Sequence, residues 1–114
     1  YMRHDRERVE DILTILDKID RDFSENKYAH DETYRYGMLN YLIIIGEAAK
    51  AISEKSRDLV PDLDWKSISR FRDKVVHRYF DVEWDVILDI LVDHVPTLRK
   101  EIVILRDELI YEES

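Results

Sequence analysis

The sequence predicts an all-α fold of four to five helices, and three observations carry that prediction. Only two glycines and two prolines occur in 114 residues, which leaves few places to break a helix. Apolar residues recur at steps of three and four through every long stretch, the spacing that lines one face of a helix. The length fits one domain over residues 1–114, and a chain of this size buries about two thirds of its unfolded surface, so it can fold without staples.

The elements follow in order. Val9, Ile12, Leu13, Leu16, Ile19 and Phe23 give a first helix over residues 5–22 with one apolar stripe. A polar loop is expected at 24–31. A second helix over 32–53 carries Tyr34, Met38, Tyr41, Leu42, Ile45, Ala49 and Ile52 on one face, yet Leu39, Ile43, Ile44 and Ala48 are apolar on others. A helix apolar most of the way round is buried, either at the centre of a bundle or shared with a second chain. Gly46 inside it costs about 1 kcal/mol relative to alanine, which points to the close approach of another backbone. Residues 54–63, with Pro61, read as a polar connection holding at most one short helical turn.

Asp64 is a good N-cap for a third helix in which Trp65, Ile68, Phe71 or Arg72, Val75 and Tyr79 share a side. Asp81 reads as the next N-cap, so the third helix ends near Tyr79 or Phe80 and His77 falls in its last turn. From 83 to 109 the apolar residues keep helical spacing across Pro96, and one long kinked helix is expected.

The chain has no cysteine, which excludes a disulfide framework, a cysteine zinc site and a thiol nucleophile, and fits a reducing compartment. No apolar run reaches the roughly 18 residues of a membrane span, and the start is charged where a signal peptide turns apolar. A soluble, cytoplasmic protein without membrane contact is expected. Tyr1 ahead of Met2 reads as an added residue before a natural start. The net charge of -8 argues against nucleic acid until its distribution is read. Residues 66–80 hold five cations (Lys66, Arg70, Arg72, Lys74, Arg78) and one acid, Asp73, a local +4 that leaves -12 elsewhere.

His4, His30 and His94 read as surface residues, and no pair has the His-x-x-x-His spacing of a helical zinc site. Asp85, Asp89 and Asp93 form an i, i+4 stripe that reads as a solvated face, so no metal or cofactor site is expected. Glu47 either points outward or, if buried, needs a cation, for which Arg72 is the candidate. His77 differs through its neighbours. Cleaving RNA without a metal needs a base for the 2′-hydroxyl, an acid for the leaving oxygen, and a cation for the charge on the phosphate. Imidazole suits the first two tasks and guanidinium the third. In an unbroken helix Arg72 and His77 lie about 140° apart. They share a phosphate only if the helix end unwinds, Arg72 reaches round, or a second copy of the chain supplies the complement.

Arg72, His77 and Tyr79 form Arg-x4-His-x-Tyr, which resembles the signature of the HEPN superfamily, and specifically of the HepT toxins of HEPN/MNT toxin-antitoxin pairs. The likeness spans nearly the whole chain, through Asp11-Ile12-Leu13, Leu42-Ile43-Ile44-Ile45-Gly46-Glu47-Ala48, Asp64-Trp65, His77-Arg78-Tyr79-Phe80 and Val95-Pro96-Thr97-Leu98. The position after the motif arginine is most often Asn in this group and is Asp73 here. The resemblance implies an up-and-down helical bundle that homodimerises with the motifs facing a shared cleft, a metal-independent endoribonuclease. It also implies a cognate minimal nucleotidyltransferase antitoxin that transfers AMP to the motif tyrosine. Carried onto this chain, Arg72 binds the phosphate, His77 is acid or base, Asp73 is the polar support, orienting His77 from a turn earlier, and Tyr79 is the modified side chain. Lys66, Arg70, Lys74 and Arg78 are then the RNA-binding cations. The competing reading is a catalytically silent HEPN-like subunit that binds a nucleotidyltransferase or a nucleotide, which Asp73 and the net acidity favour.

Overall fold

Among residues 2–113, which the computed structural model describes, every regular element is helical. The elements are α1 (Met2–Asp22), α2 (Glu25–His30), α3 (Glu32–Lys50), α4 (Glu54–Arg57), α5 (Trp65–His77), α6 (Trp84–Asp89) and α7 (Val95–Glu113), with a π-helical turn at Ile90–His94 joining α6 to α7. Tyr1, read as an added residue, lies outside this range. Four long rods (α1, α3, α5 and the joined α6 and α7) are those the periodicity predicts. No described helix is long and apolar enough to cross a membrane.

The stripe of α1 is buried as expected, with Val9, Ile12 and Leu16 wholly inaccessible, and full burial of such a side chain is worth about 1.5–3 kcal/mol. α1 packs between α3 and α7, and α3 packs between α1 and α5. The apolar excess of α3 is thereby explained within one protomer: Met38, Leu39, Leu42, Ile45, Ala48 and Ala49 are buried against neighbours on different sides. Ile44 remains partly exposed.

Two expectations at the joints are corrected. The polar stretch 24–31 contains α2, capped by Ser24, which accepts from the Lys27 N–H at 3.2 Å. Six residues with Tyr28 alone buried are too short to show a period. Asp31 then closes α2 through its backbone N–H and opens α3 by accepting from the Tyr34 N–H. Asp81 is not the next N-cap. Its N–H donates to the Arg78 carbonyl in a turn, and α6 starts at Trp84 after Glu83, whose side chain makes no capping bond. The expected cap at Asp64 is present, accepting from the Ser67 N–H at 3.0 Å.

The kink expected at Pro96 takes the form of the π turn. Pro96 has no N–H and its ring crowds the carbonyl four residues back, and a widened turn immediately before it relieves both problems. The Val95 N–H accordingly reaches the Ile90 carbonyl, five residues back. The widening also keeps the apolar side in line. Each four-residue step from Ile87 to Leu91 to Val95 overshoots an α turn by about 40°, and the extra residue per turn absorbs the drift, so all three stay buried.

The sequence shows no sign of the best-buried charge among the described residues. Asp5 is 1% exposed in the first turns of α1. It accepts from the Ser53 N–H at 2.9 Å, from Ser53 Oγ at 2.5 Å and from Ser56 Oγ at 2.6 Å. Burial pushes its carboxyl up, but the hydrogen bonds from Ser53 and Ser56 together outweigh it and hold the group below its ordinary value. A depressed folded value means stability present above the usual carboxylate range and lost as pH falls through the folded value. Asp5→Ala is therefore expected to lower unfolding stability at pH 7 by about 2–3 kcal/mol, since two hydroxyls and an amide lose their acceptor. The gap to wild type should narrow below about pH 4. Urea midpoints of the two chains at pH 7 and pH 3 measure it, and equal midpoints at pH 7 would refute it.

Candidate active site

The axes of α3 and α5 come together at Gly46. A Cβ placed on this glycine would lie 2.7 Å from Arg72 Cβ and 3.1 Å from its Cγ, so the close approach that Gly46 signals in the sequence is real and its partner is Arg72. The guanidinium is seated between the helices with its side chain 24% exposed. Its Nε donates to Glu47 Oε1 at 2.5 Å, and Nη2 donates to the same oxygen. Nη1 donates to Asp73 Oδ1 at 3.1 Å. Glu47 is thus both half-exposed and paired with Arg72.

Lys50, one turn beyond Glu47 on α3, completes the group by donating from Nζ to Asp73 Oδ1 at 3.3 Å. Lys50, Asp73, Arg72 and Glu47 alternate in sign and cancel. The hydrogen bonds to Glu47 and then to Asp73 lift the guanidinium above its ordinary value. Those from Arg72 and then Lys50 hold the Asp73 carboxyl below the carboxylate range. Both groups stay ionised across the neutral range.

His77 is the last residue of α5, and its exposed imidazole makes no hydrogen bond to a described residue. Lys66, Arg70 and Lys74 run along α5 at four-residue steps toward the C-cap Arg78, all exposed, a basic edge about 18 Å long. His77 follows Lys74 by three residues and so neighbours it on the exposed surface of the last turn. α5 is unbroken as far as His77, so Arg72 faces α3 while His77 faces solvent, about 140° away. One protomer therefore does not bring the two together. The contacts of the Asp73 carboxylate, both at Oδ1, are with Arg72 and Lys50 rather than with His77.

Tyr79 lies past the helix, which ends at His77 rather than at Tyr79 or Phe80 and leaves Arg78 at φ -126°, ψ 37°. The helical projection that puts Tyr79 on the face of Arg72 does not apply. Its ring stacks on Tyr36 with centroids 5.4 Å apart and planes 22° apart, and Tyr36 meets Trp84 edge-on at 4.8 Å. Tyr79 keeps 40% exposure and Phe80 is fully exposed beside it. Lys50 and Tyr36 are the members of the site that the sequence reading missed. The available signal for Lys50 was its i, i+3 spacing from Glu47, and for Tyr36 nothing local marked it. His4, His30 and His94 are exposed, as are Asp85, Asp89 and Asp93. Among the described residues no three His, Asp or Glu side chains converge to hold a metal ion.

Gly46 and Glu47 on α3 thus hold an arginine five residues before an exposed histidine that neighbours Lys74. A family model described as ribonuclease HepT-like matches residues 7–105. The chain belongs to the HepT-like family. Among its relatives, the protein named "Putative RNase MJ0127" of Methanocaldococcus jannaschii is 32% identical over 94 residues, covering 82% of this chain and 77% of the relative. The "Probable ribonuclease HepT" of Thermococcus cleftensis is 28% identical over 107 residues, 91% of this chain and 97% of its own length. No solved structure matches the chain. The HepT-like match contains every element from the second turn of α1 to the middle of α7, and so includes Glu47, Arg72, His77 and Tyr79.

Proposed function

We propose that this chain is a metal-independent endoribonuclease, the toxin of a HEPN/MNT toxin-antitoxin module, acting as a homodimer in the cytoplasm. The observation that carries the reading is the exposed His77 at the end of α5, its imidazole free of hydrogen bonds to described residues, between Lys74 and Arg78 of the basic edge that also holds Lys66 and Arg70. That edge suits a phosphate backbone, and an imidazole placed on it can exchange protons with a bound strand. In the reaction a 2′-oxygen attacks the adjacent phosphorus, the bond to the 5′-oxygen breaks, one base accepts the 2′ proton and one acid delivers a proton to the leaving oxygen. The products are a 2′,3′-cyclic phosphate and a 5′-hydroxyl. Two proton carriers are needed and one chain offers one. With α5 unbroken and Arg72 held on α3, the remaining way to place Arg72 and His77 on one phosphate is a two-fold pair of chains.

Control follows from Tyr79. Its hydroxyl oxygen attacks the α-phosphorus of ATP on a partner minimal nucleotidyltransferase, the hydroxyl proton passes to solvent, pyrophosphate leaves, and AMP is bonded beside His77 and Arg78. The added negative phosphate repels the RNA backbone from this basic edge. The second reading, a silent subunit that binds a nucleotidyltransferase or a nucleotide, is favoured by one observation: Glu47 and Asp73 together neutralise the arginine that would hold the substrate phosphate.

The test uses purified protein and a single-stranded RNA. Light scattering is expected to give a particle of two chains, and cleavage to be the same with and without EDTA. With the partner nucleotidyltransferase and ATP, wild type should gain AMP by intact mass and lose cleavage, whereas Tyr79→Phe should gain none and stay active. Loss of cleavage on chelation, or equal AMP uptake by Tyr79→Phe, would show the site or the modified residue to be misassigned. An intact dimer with no cleavage of any RNA leaves the silent subunit as the correct reading.

A further inference from the structure

A guanidinium has five N–H donors, and a phosphate is best gripped by two parallel ones on neighbouring nitrogens. In Arg72 the edge formed by Nε and Nη2 is closed by Glu47 Oε1. The edge left for a phosphate is therefore the outer one, between Nη1 and Nη2. Nη1 already donates to Asp73 Oδ1. An entering phosphate thus meets a carboxylate at the nitrogen it needs, and both are anions. If Arg72 were the only cation on Asp73, drawing Nη1 away would strand the carboxylate beside the incoming charge. The same oxygen, Oδ1, also accepts from Lys50 Nζ.

We infer that Lys50 is a positioning residue for substrate binding: it retains Asp73 through their shared Oδ1 contact while the outer edge of Arg72 passes from that carboxylate to a phosphate of RNA. Glu47 stays on the inner edge throughout and holds the guanidinium plane, so Arg72 changes one partner rather than two. Lys50 serves the cleavage reaction without touching the reacting atoms. The inference rests on the nuclease reading above. It goes beyond it by explaining how a charge-cancelled arginine remains available to an anion.

A double-mutant cycle tests it. The chains are wild type, Lys50→Met, Asp73→Asn, the double variant, and Lys100→Met as a control that removes one exposed lysine from α7. The side chains of Lys50 and Asp73 are 51% and 49% exposed, so the variants are expected to fold. For each, the Kd of an uncleavable 2′-O-methyl oligonucleotide is measured at fixed salt, together with KM and kcat for the cleavable strand. Lys50→Met is expected to raise Kd and KM about fivefold, the upper end for an exposed pair, with kcat nearly unchanged. Asp73→Asn should tighten binding several-fold. In the Asp73→Asn background the loss of Lys50 should cost less than about twofold, the same as Lys100→Met. An equal cost of Lys50→Met in both backgrounds makes Lys50 an independent phosphate contact and overturns the inference. So does a cost no larger than that of Lys100→Met in the wild-type background. A non-additive binding cycle in a protein that cleaves nothing sinks the nuclease reading alone, and normal cleavage with an additive cycle sinks the role of Lys50 alone.

Discussion

Replacing His77 by alanine is expected to lower RNA cleavage by about two to four orders of magnitude, the contribution of one positioned acid or base, with no change in the thermal midpoint. The two expectations come from one fact. The His77 side chain is exposed and hydrogen-bonded to no described residue, so the bundle does not depend on it. Arg72 should behave differently. Arg72→Ala removes the proposed phosphate cation and also strips Glu47 and Asp73 of their shared partner, so activity and stability are expected to fall together. Arg72→Lys separates the two losses. An ammonium is a point charge that restores the cancellation but has no fork to span two carboxylates and a phosphate, so stability recovers while cleavage stays about tenfold to a hundredfold down. Initial rates on one labelled RNA and calorimetric midpoints for the three variants suffice. Wild-type cleavage by His77→Ala would place the chemistry elsewhere on the molecule.

Gly46→Ala carries the second large effect, and it is opposite in sign to what helix propensity alone gives. Alanine is better than glycine inside a helix by about 1 kcal/mol. Here its methyl would meet Arg72 Cβ, an atom fixed to the α5 backbone that cannot swing aside. Overpacking of this kind costs about 1–3 kcal/mol, so net stability drops modestly while α5 is pushed away from α3. Displacing a catalytic group by about 1 Å can cost about a hundredfold in rate, and a fall of about tenfold to a hundredfold in cleavage is expected with helicity retained. Gly37 supplies the control on the same helix. A Cβ there has nothing within 4 Å, so Gly37→Ala should stabilise by about 1 kcal/mol and leave cleavage unchanged. If both alanine variants behave alike, the contact at Gly46 does not set the position of Arg72.

What the sequence revealed and what it hid divide along one physical line. Periodicity reports a helix wherever the helix is long enough to repeat itself, so α1, α3, α5 and the α6–α7 rod were legible. The six residues of α2 were not. Single residues whose presence is unfavourable were also legible: a glycine in an apolar helix marked the approach of Arg72, and an acid beside it marked the need for a cation. Favourable-looking surface residues gave no such signal. Lys50 and Asp73 are each ordinary on an exposed helix face, and their pairing across 23 positions is created by the packing of α5 on α3. Asp5 defeated the reading for the converse reason, because an aspartate in a charged first turn looks solvated and here is buried under two serines 48 and 51 positions away. Tyr36 meets Tyr79 only because the chain leaves the helix at Arg78, where a projection from helical angles no longer holds.

The widened turn at Ile90–His94 also bears on how this chain tolerates change in length. A π turn is an α turn carrying one residue more than it needs, so the rod from Trp84 to Glu113 holds a spare position just ahead of Pro96. A one-residue deletion there can be absorbed by tightening the turn, whereas the same deletion in α1 would swing every later side chain by about 100° and carry its apolar stripe out of the core. Natural variation in length should therefore collect at this joint.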